Sequence, residues 1–206
     1  DETFTAGYHE KARSLSQLRR NKEAINTYLL TFAFENATGY TYLKIGLCYK
    51  ELSSYKQAIR YFTKACHEDP QLSEAWMEIG LCYDATGYTE EALHYIKKAV
   101  NLNPDDLEYL YIQTKVYFKT GLYSEAKLGY QNLIKMGCKS PTIWIEYANL
   151  MRLLNETKKA IKILKSGTKH NKNNSELIVR IGALLFLDGQ EDLAENYLKT
   201  AKNINS

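Results

Sequence analysis

Apolar and small residues recur along this chain at helical spacing, and the clearest stretch runs from Ser73 to Asp106. Trp76, Ile79, Gly80 and Tyr83 share one helical face, and Ala92, Ile96 and Ala99 share a second. Gly87 lies between the two runs and Pro104 follows the second. The pattern predicts two helices joined by a tight turn. Gly87 supplies left-handed backbone at the turn, and Pro104 closes the second helix because it cannot continue it. Gly80 and Ala92 are small where the two helices must cross closely, while Trp76, Tyr83 and Ile96 fill the space around the crossing.

Sliding this pattern in steps of 34 residues extends it both ways without an insertion, with starts at Thr5, Gly39, Ser73, Leu107, Pro141 and Ser175. The small residue of the second helix recurs as Ala24, Ala58, Ala92, Ala126, Ala160 and Ala194, and that of the first as Ala12, Gly46, Gly80, Thr114, Ala148 and Gly182. Three positions after the latter stand Leu15, Tyr49, Tyr83, Tyr117, Met151 and Leu185. Gly121 and Gly189 repeat the turn role of Gly87, and Ser53 and Asn155 occupy the same place in two other repeats. The first repeat, with helices over Thr5–Leu18 and Asn21–Phe34, is the poorest match: Lys11 replaces an apolar residue, which suggests an end facing water, and Arg19, Arg20, Asn21 and Lys22 mark its turn. Asn36, Cys138 and Lys172 stand where the closing proline is expected. Ser140 before Pro141, and Ser175, are expected helix caps.

The spacing W-x2-L-G-x2-Y…A-x3-F…P, with Ile for Leu and for Phe, resembles that of the tetratricopeptide (TPR) family. The resemblance covers nearly the whole chain and implies an all-α fold, a right-handed superhelical solenoid of twelve helices in one domain, residues 1–206. Its repeats are 5–38, 39–72, 73–106, 107–140, 141–174 and 175–206. Each repeat buries its apolar face only against its neighbours, so such an array overrides the usual relation of length to domain count.

Hydrophobic content of 45% suits such a stack, and the 17 tyrosines suit a family that uses aromatics in packing and on binding surfaces. A formal charge of +3 is too small to argue for nucleic acid. No apolar run approaches the roughly 18 residues that span a bilayer. The chain opens at Asp1 without methionine, which reads as an excised or processed segment. Of the four cysteines, Cys48 and Cys82 hold equivalent positions one repeat apart, and Cys66 and Cys138 are the others. Packed helices lie about 8–10 Å apart, whereas a disulfide needs Cα atoms within roughly 7 Å. Reduced, buried thiols and a reducing, cytoplasmic compartment are therefore favoured.

Motifs for catalysis, nucleotide binding or metal are absent, so no catalytic residue, cofactor or metal ligand is assigned. His9, His67, His94 and His170 are scattered without ligand spacing. The Asn-x-Ser/Thr matches at Asn36, Asn155 and Asn173 are as expected by chance.

The resemblance further implies a concave face lined by the second, fifth, ninth, twelfth and thirteenth positions of each first helix. On this chain that face takes His9, Arg13, Leu43, Leu47, Met77, Leu81, Tyr111, Lys115, Phe118, Ile145 and Asn149 as the partner-binding set, with Val179, Ala183 and Phe186 in the last repeat. The strip is apolar with a charged rim of Lys50, Glu74, Asp84, Glu108, Lys119 and Arg152. Burial of some of these side chains between adjacent helices is the plainer reading. A carboxylate clamp of the chaperone-cochaperone kind is not expected, because Glu74 and Glu78 would repel a carboxylate. Lys158, Lys162, Lys165, Lys169 and Lys172 form a basic stripe, with Lys159 beside it and no aromatic residue interleaved. Its plainer reading is a solvated helix face.

These features point to a protein-interaction scaffold that takes a partner peptide or helix in its groove. One alternative is a TPR segment of a larger polypeptide with an enzymatic or membrane-associated domain; another is nucleic-acid binding through the lysine stripe. Ser206 is the thirty-second position of its repeat, and Leu193, Tyr197, Leu198 and Ala201 have no following repeat to cover them. That end is expected to continue in further protein or to be covered by another chain, including self-association.

Overall fold

The structure, a computed structural model, describes residues 2–33 and 38–204. Among them are twelve helices and no strand: α1 (Glu2–Gln17), α2 (Asn21–Thr31), α3 (Gly39–Glu51), α4 (Tyr55–Glu68), α5 (Ser73–Ala85), α6 (Thr89–Leu102), α7 (Leu107–Lys119), α8 (Tyr123–Lys135), α9 (Pro141–Leu153), α10 (Thr157–His170), α11 (Ser175–Leu187) and α12 (Glu191–Ile204). From α3 onward every odd-numbered helix begins where the 34-residue step puts it, while α1 begins at Glu2 rather than Thr5. Phe34 and Asn36 lie outside the described residues.

The turn inside each pair has one construction. Left-handed backbone occurs at Arg19 (φ 58°), Ser53 (55°), Gly87 (88°), Gly121 (77°), Asn155 (60°) and Gly189 (77°). The N–H of each following residue donates to the carbonyl of the large residue of the first helix: Arg20 to Leu15, Ser54 to Tyr49, Tyr88 to Tyr83, Leu122 to Tyr117, Glu156 to Met151 and Gln190 to Leu185, all at 2.8–2.9 Å. A second bond runs from the left-handed residue to the carbonyl three positions back, as from Gly87 to Asp84 at 3.1 Å. This is the Schellman arrangement, which satisfies carbonyls that a helix end otherwise leaves unpaired.

The starts of the helices differ from expectation. Ser140 precedes Pro141 but its hydroxyl makes no capping bond, because the Ile143 N–H is already taken by the Ser140 backbone carbonyl at 3.2 Å. Ser175 is the first helical residue, and the cap is Asn174, whose Oδ1 accepts from the Leu177 N–H at 2.9 Å. Thr38 caps α3 in the same way through Thr41.

The chain divides into two compact units, Asp1–Val116 and Tyr117–Ser206. In the N-terminal unit one apolar cluster joins Ala12, Leu15, Ala24, Ile25 and Tyr28 to Ile45 and Cys48 of the next pair. A second joins Leu43, Ala58, Phe62, Ala65 and Cys66 to Ala75, Ile79 and Cys82. The first two pairs thus each close their apolar face on the pair that follows. In the C-terminal unit Leu150, Met151, Leu164, Leu177, Ile181 and Leu185 are buried, while Leu193 and Leu198 of α12 stay exposed.

The crossings are tight. Ala24, Ala58, Ala92, Ala126 and Ala160 are 0% exposed and Ala194 1%. A Cβ on Gly80 would lie 2.6 Å from Ile96 and 3.0 Å from the Ala92 carbonyl oxygen; one on Gly46 would lie 2.5 Å from the Phe62 ring. Thr114 fills the glycine's place in α7 and satisfies its hydroxyl on the Leu110 carbonyl at 2.7 Å.

Ala92→Leu is expected to cost about 1–3 kcal/mol by overpacking, against at most about 0.5 kcal/mol for the exposed Lys162→Glu. Equal shifts in melting temperature would contradict the crossing. Ser53→Gly should raise stability by some tenths of a kcal/mol, since left-handed backbone costs a non-glycine residue about 1–2 kcal/mol, in part offset by glycine's larger chain entropy. Denaturant titration reads the sign, and a loss of stability would count against the turn geometry.

Candidate functional site

The first helices of the N-terminal unit carry His9, Arg13, Leu43, Leu47, Met77, Leu81, Tyr111 and Lys115. Leu43 is 0% exposed and Met77 3%, and Leu43 belongs to the cluster with Ala75 and Ile79. These two present almost no surface to a partner, and the next pair packs over Leu43. Leu47, Leu81 and Tyr111 are half-buried, and Lys115 lies over the Tyr111 ring at 5.5 Å. His9 tilts against Tyr28 with ring centroids 5.9 Å apart, beside Arg13, which pairs with Glu10 at 3.8 Å. The charge of Lys50 is engaged: its Nζ meets the Glu78 carboxylate, linking α3 to α5.

In the C-terminal unit Phe118 packs near Tyr123, with centroids 5.9 Å apart. Ile145 is 7% exposed and serves mainly as packing, whereas Asn149 is half-buried. A cavity of about 210 Å³ opens between α9 and α11, lined by Ile145, Asn149, Arg152, Leu184 and Leu187 among others. Arg180 also lines it but is held by Glu176 on its own helix at 2.8 Å. Leu187 in that lining is 71% exposed, and Leu153 of α9 and Val179 and Phe186 of α11 are 51, 42 and 60% exposed. Leu153 and Leu187 stand at the thirteenth positions of their helices, a signal present in the spacing that the sequence-based set did not use.

Of the basic stripe, Lys158, Lys162, Lys169 and Lys172 are exposed. Lys165 is half-buried with its Nζ 5.5 Å from the Tyr197 ring centroid, so an aromatic residue reaches the stripe from α12 although none interleaves it in sequence. Lys159 pairs with Glu156 at 2.7 Å.

Several tyrosines serve packing. Tyr49 stacks on Tyr61 and, one repeat on, Tyr83 stacks on Tyr95, each pair at 5.3 Å. Lys64 caps Tyr42 and Tyr61, and Lys98 caps Trp76 and Tyr95. In these cation–π contacts the ammonium lies over the ring face, where the quadrupole attracts it.

The thiols are free, with Cys48, Cys66 and Cys82 buried and Cys138 half-buried. Burial pushes the Cys66 thiol up to about 12 and that of Cys82 to about 11, and raises that of Cys48. Buried neutral thiols are poor nucleophiles. Among the described residues no group of three or more His, Cys, Asp and Glu is placed to hold a metal ion, and no helix is long and apolar enough to cross a membrane. In the native chain at pH 8, Cys138 should react with a thiol reagent first, and the other three only after denaturant is added. Four thiols reacting together would contradict the burial.

Comparison with known proteins bears on the fold. The family described as anaphase-promoting complex, cyclosome, subunit 3 matches residues 51–132. No curated protein matches the chain. The chain is similar to the C-terminal part of a TPR repeat-containing protein from Cytophaga hutchinsonii, with TM-score 0.81 and 18% identity over 95% of this chain and 78% of that one. It is similar to the MamA protein, with TM-score 0.71 and 22% identity over 81% of this chain and 91% of that one. A third likeness is to YrrB, described as a TPR protein with an unusual peptide-binding site, with TM-score 0.69 and 14% identity over 86% of this chain and 91% of that one. The repeated crossings, the turns 34 residues apart and these likenesses agree: the chain has the all-α superhelical repeat fold of tetratricopeptide-type proteins.

Proposed function

We propose that this chain is a non-catalytic interaction protein that holds a partner segment, helical or extended, against the first helices of its pairs. TPR-type folds commonly mediate protein–protein interaction. The observation that carries the proposal is the α9/α11 cavity, in whose lining Leu187 is 71% exposed, together with Leu153, Val179 and Phe186 of the same two helices, each at least 42% exposed. Contiguous exposed apolar side chains with a few polar groups among them mark interaction surfaces. Asn149 offers a side-chain amide and Arg152 a guanidinium that is not ion-paired among the described residues. A partner segment with apolar residues and one acidic or carbonyl-rich turn suits that lining. In the N-terminal unit the half-buried Leu47, Leu81 and Tyr111 with the exposed Lys115 supply a similar mixture.

The alternative, a segment of a larger polypeptide whose other domain is enzymatic or membrane-associated, leaves this face its recruiting role. The full-length gene separates the two.

Phe186→Glu combined with Leu187→Lys should abolish partner capture with melting near wild type, because both side chains are exposed. The measurement is a pull-down from the source cells with the full chain, comparing the two forms and identifying each protein lost. An unchanged set of captured proteins on a folded variant would remove this face as the binding site.

A further inference from the structure

A second surface lies on the C-terminal unit and shares no lining residue with the α9/α11 cavity. It joins the lysines of α10 to a cleft of about 310 Å³ bounded by Thr168, Lys172, Ile178, Asn196, Tyr197 and Thr200. We propose that this cleft and stripe form a docking site for an acidic polypeptide segment that carries one bulky apolar side chain.

Charge complementarity selects the acidic part. Lys158, Lys162, Lys169 and Lys172 have no ion-pair partner among the described residues, and Lys165 turns its ammonium onto the Tyr197 ring instead of a carboxylate. From Lys158 to Lys169 the stripe runs about 16 Å along the helix, the reach of roughly five extended residues. Carboxylates spaced along such a segment meet the ammonium groups in turn.

The cleft selects the apolar part. Ile178 is 6% exposed and forms its floor, the half-buried Tyr197 forms a wall, and Thr168, Asn196 and Thr200 stand around them. Two of those polar groups are already engaged, since the Thr168 hydroxyl donates to the Lys165 carbonyl at 2.9 Å and that of Thr200 to the Asn196 carbonyl at 2.8 Å. What remains to be satisfied at the floor is apolar surface, and a phenyl or leucyl side chain fits that demand. Leu193 and Leu198 on the same helix are 48 and 43% exposed and extend the apolar character beyond the cleft.

A nucleic-acid strand fits less well. One aromatic ring gives a single stacking position, where single-strand binders use successive rings. Glu191 and Asp192 in the first turn of α12 add negative charge to the adjoining helix, and the chain as a whole carries only +3.

The test uses the full chain and a fluorescein-labelled peptide of about eight residues, an extended length that covers the stripe, made of Glu and Asp with one central Phe. Fluorescence anisotropy reads the affinity. Lys162→Glu with Lys169→Glu should weaken binding at least about tenfold, equivalent to about 1.4 kcal/mol, with an unchanged circular dichroism melt. Asn196→Trp, which fills the mouth of the cleft and keeps every lysine, should weaken the Phe peptide and leave a Phe→Ser version unchanged. Phe186→Glu at the other surface should leave this binding intact, which separates failure here from failure of the groove reading. The proposal is overturned if the probe does not bind, if the charge-reversed chain binds it equally, or if Phe→Ser and Asn196→Trp have no effect. Tighter binding of oligouridylate than of the peptide, lost in the charge-reversed chain, would also overturn it and make the stripe a nucleic-acid surface.

Discussion

The close crossing of the two helices in each pair is the constraint on which the rest of the structure depends. Helices packed through ordinary side chains sit about 8–10 Å apart. In the pairs that lie within one unit, the second helix brings to that point an alanine with no exposed surface (Ala24, Ala58, Ala92, Ala160) or with 1% exposure (Ala194). Gly80 and Gly182 would set a Cβ 3.0 and 3.2 Å from the opposing alanine's carbonyl oxygen. Two helices held that closely cannot slide, so the larger residues beside the crossing have fixed places. The Schellman turn belongs to the same constraint, because its acceptor is the carbonyl of the large residue three positions beyond the crossing. Packing register and chain reversal are thereby tied to each other within a few residues.

This coupling explains why so much of the fold was legible. A period of 34 residues carries crossing, large residue and turn together, so an error in one would break the other two. The helix starts at Gly39, Ser73, Leu107, Pro141 and Ser175 follow from it. Caps were less legible, because they depend on whether a side chain reaches a particular N–H. Ser140 has the right chemistry and finds its donor already taken, whereas Asn174, one residue before the expected Ser175, reaches Leu177. Arg19 is the clearest case of a residue whose type hides its backbone. Nothing about arginine suggests φ of 58°; only its place in the period does.

For the residues expected to line a concave face, direction was legible and depth much less so. Leu43, Met77, Ile145 and Val179 all stand at the fifth position of a first helix, yet their exposures are 0, 3, 7 and 42%. Helical geometry sets the side on which a residue points, but burial depends on what the next pair lays over it. Leu43 is covered by Ala75 and Ile79. Val179 belongs to the last first helix among the described residues and keeps its surface. Exposure at one position of the repeat therefore depends on what packs over it as much as on residue type.

Charge is distributed by the same logic of neighbours. Lys50 finds Glu78 across the gap between two first helices, Arg180 finds Glu176 one turn away, and Lys159 finds Glu156. The Arg180 and Lys159 pairs are exposed and contribute at most about 1 kcal/mol each, so they do little to hold the fold. Their larger consequence is to decide which charges stay available to a partner. Along α10 the lysines recur at three- and four-residue spacing, where like charges destabilise a helix by about 0.2–0.5 kcal/mol per pair. Screening over a Debye length of about 8 Å in physiological salt reduces this repulsion without removing it. An anionic segment laid along the stripe would relieve that repulsion as it adds its own attraction. Such a surface is a mild burden to the free protein that an anionic partner would relieve.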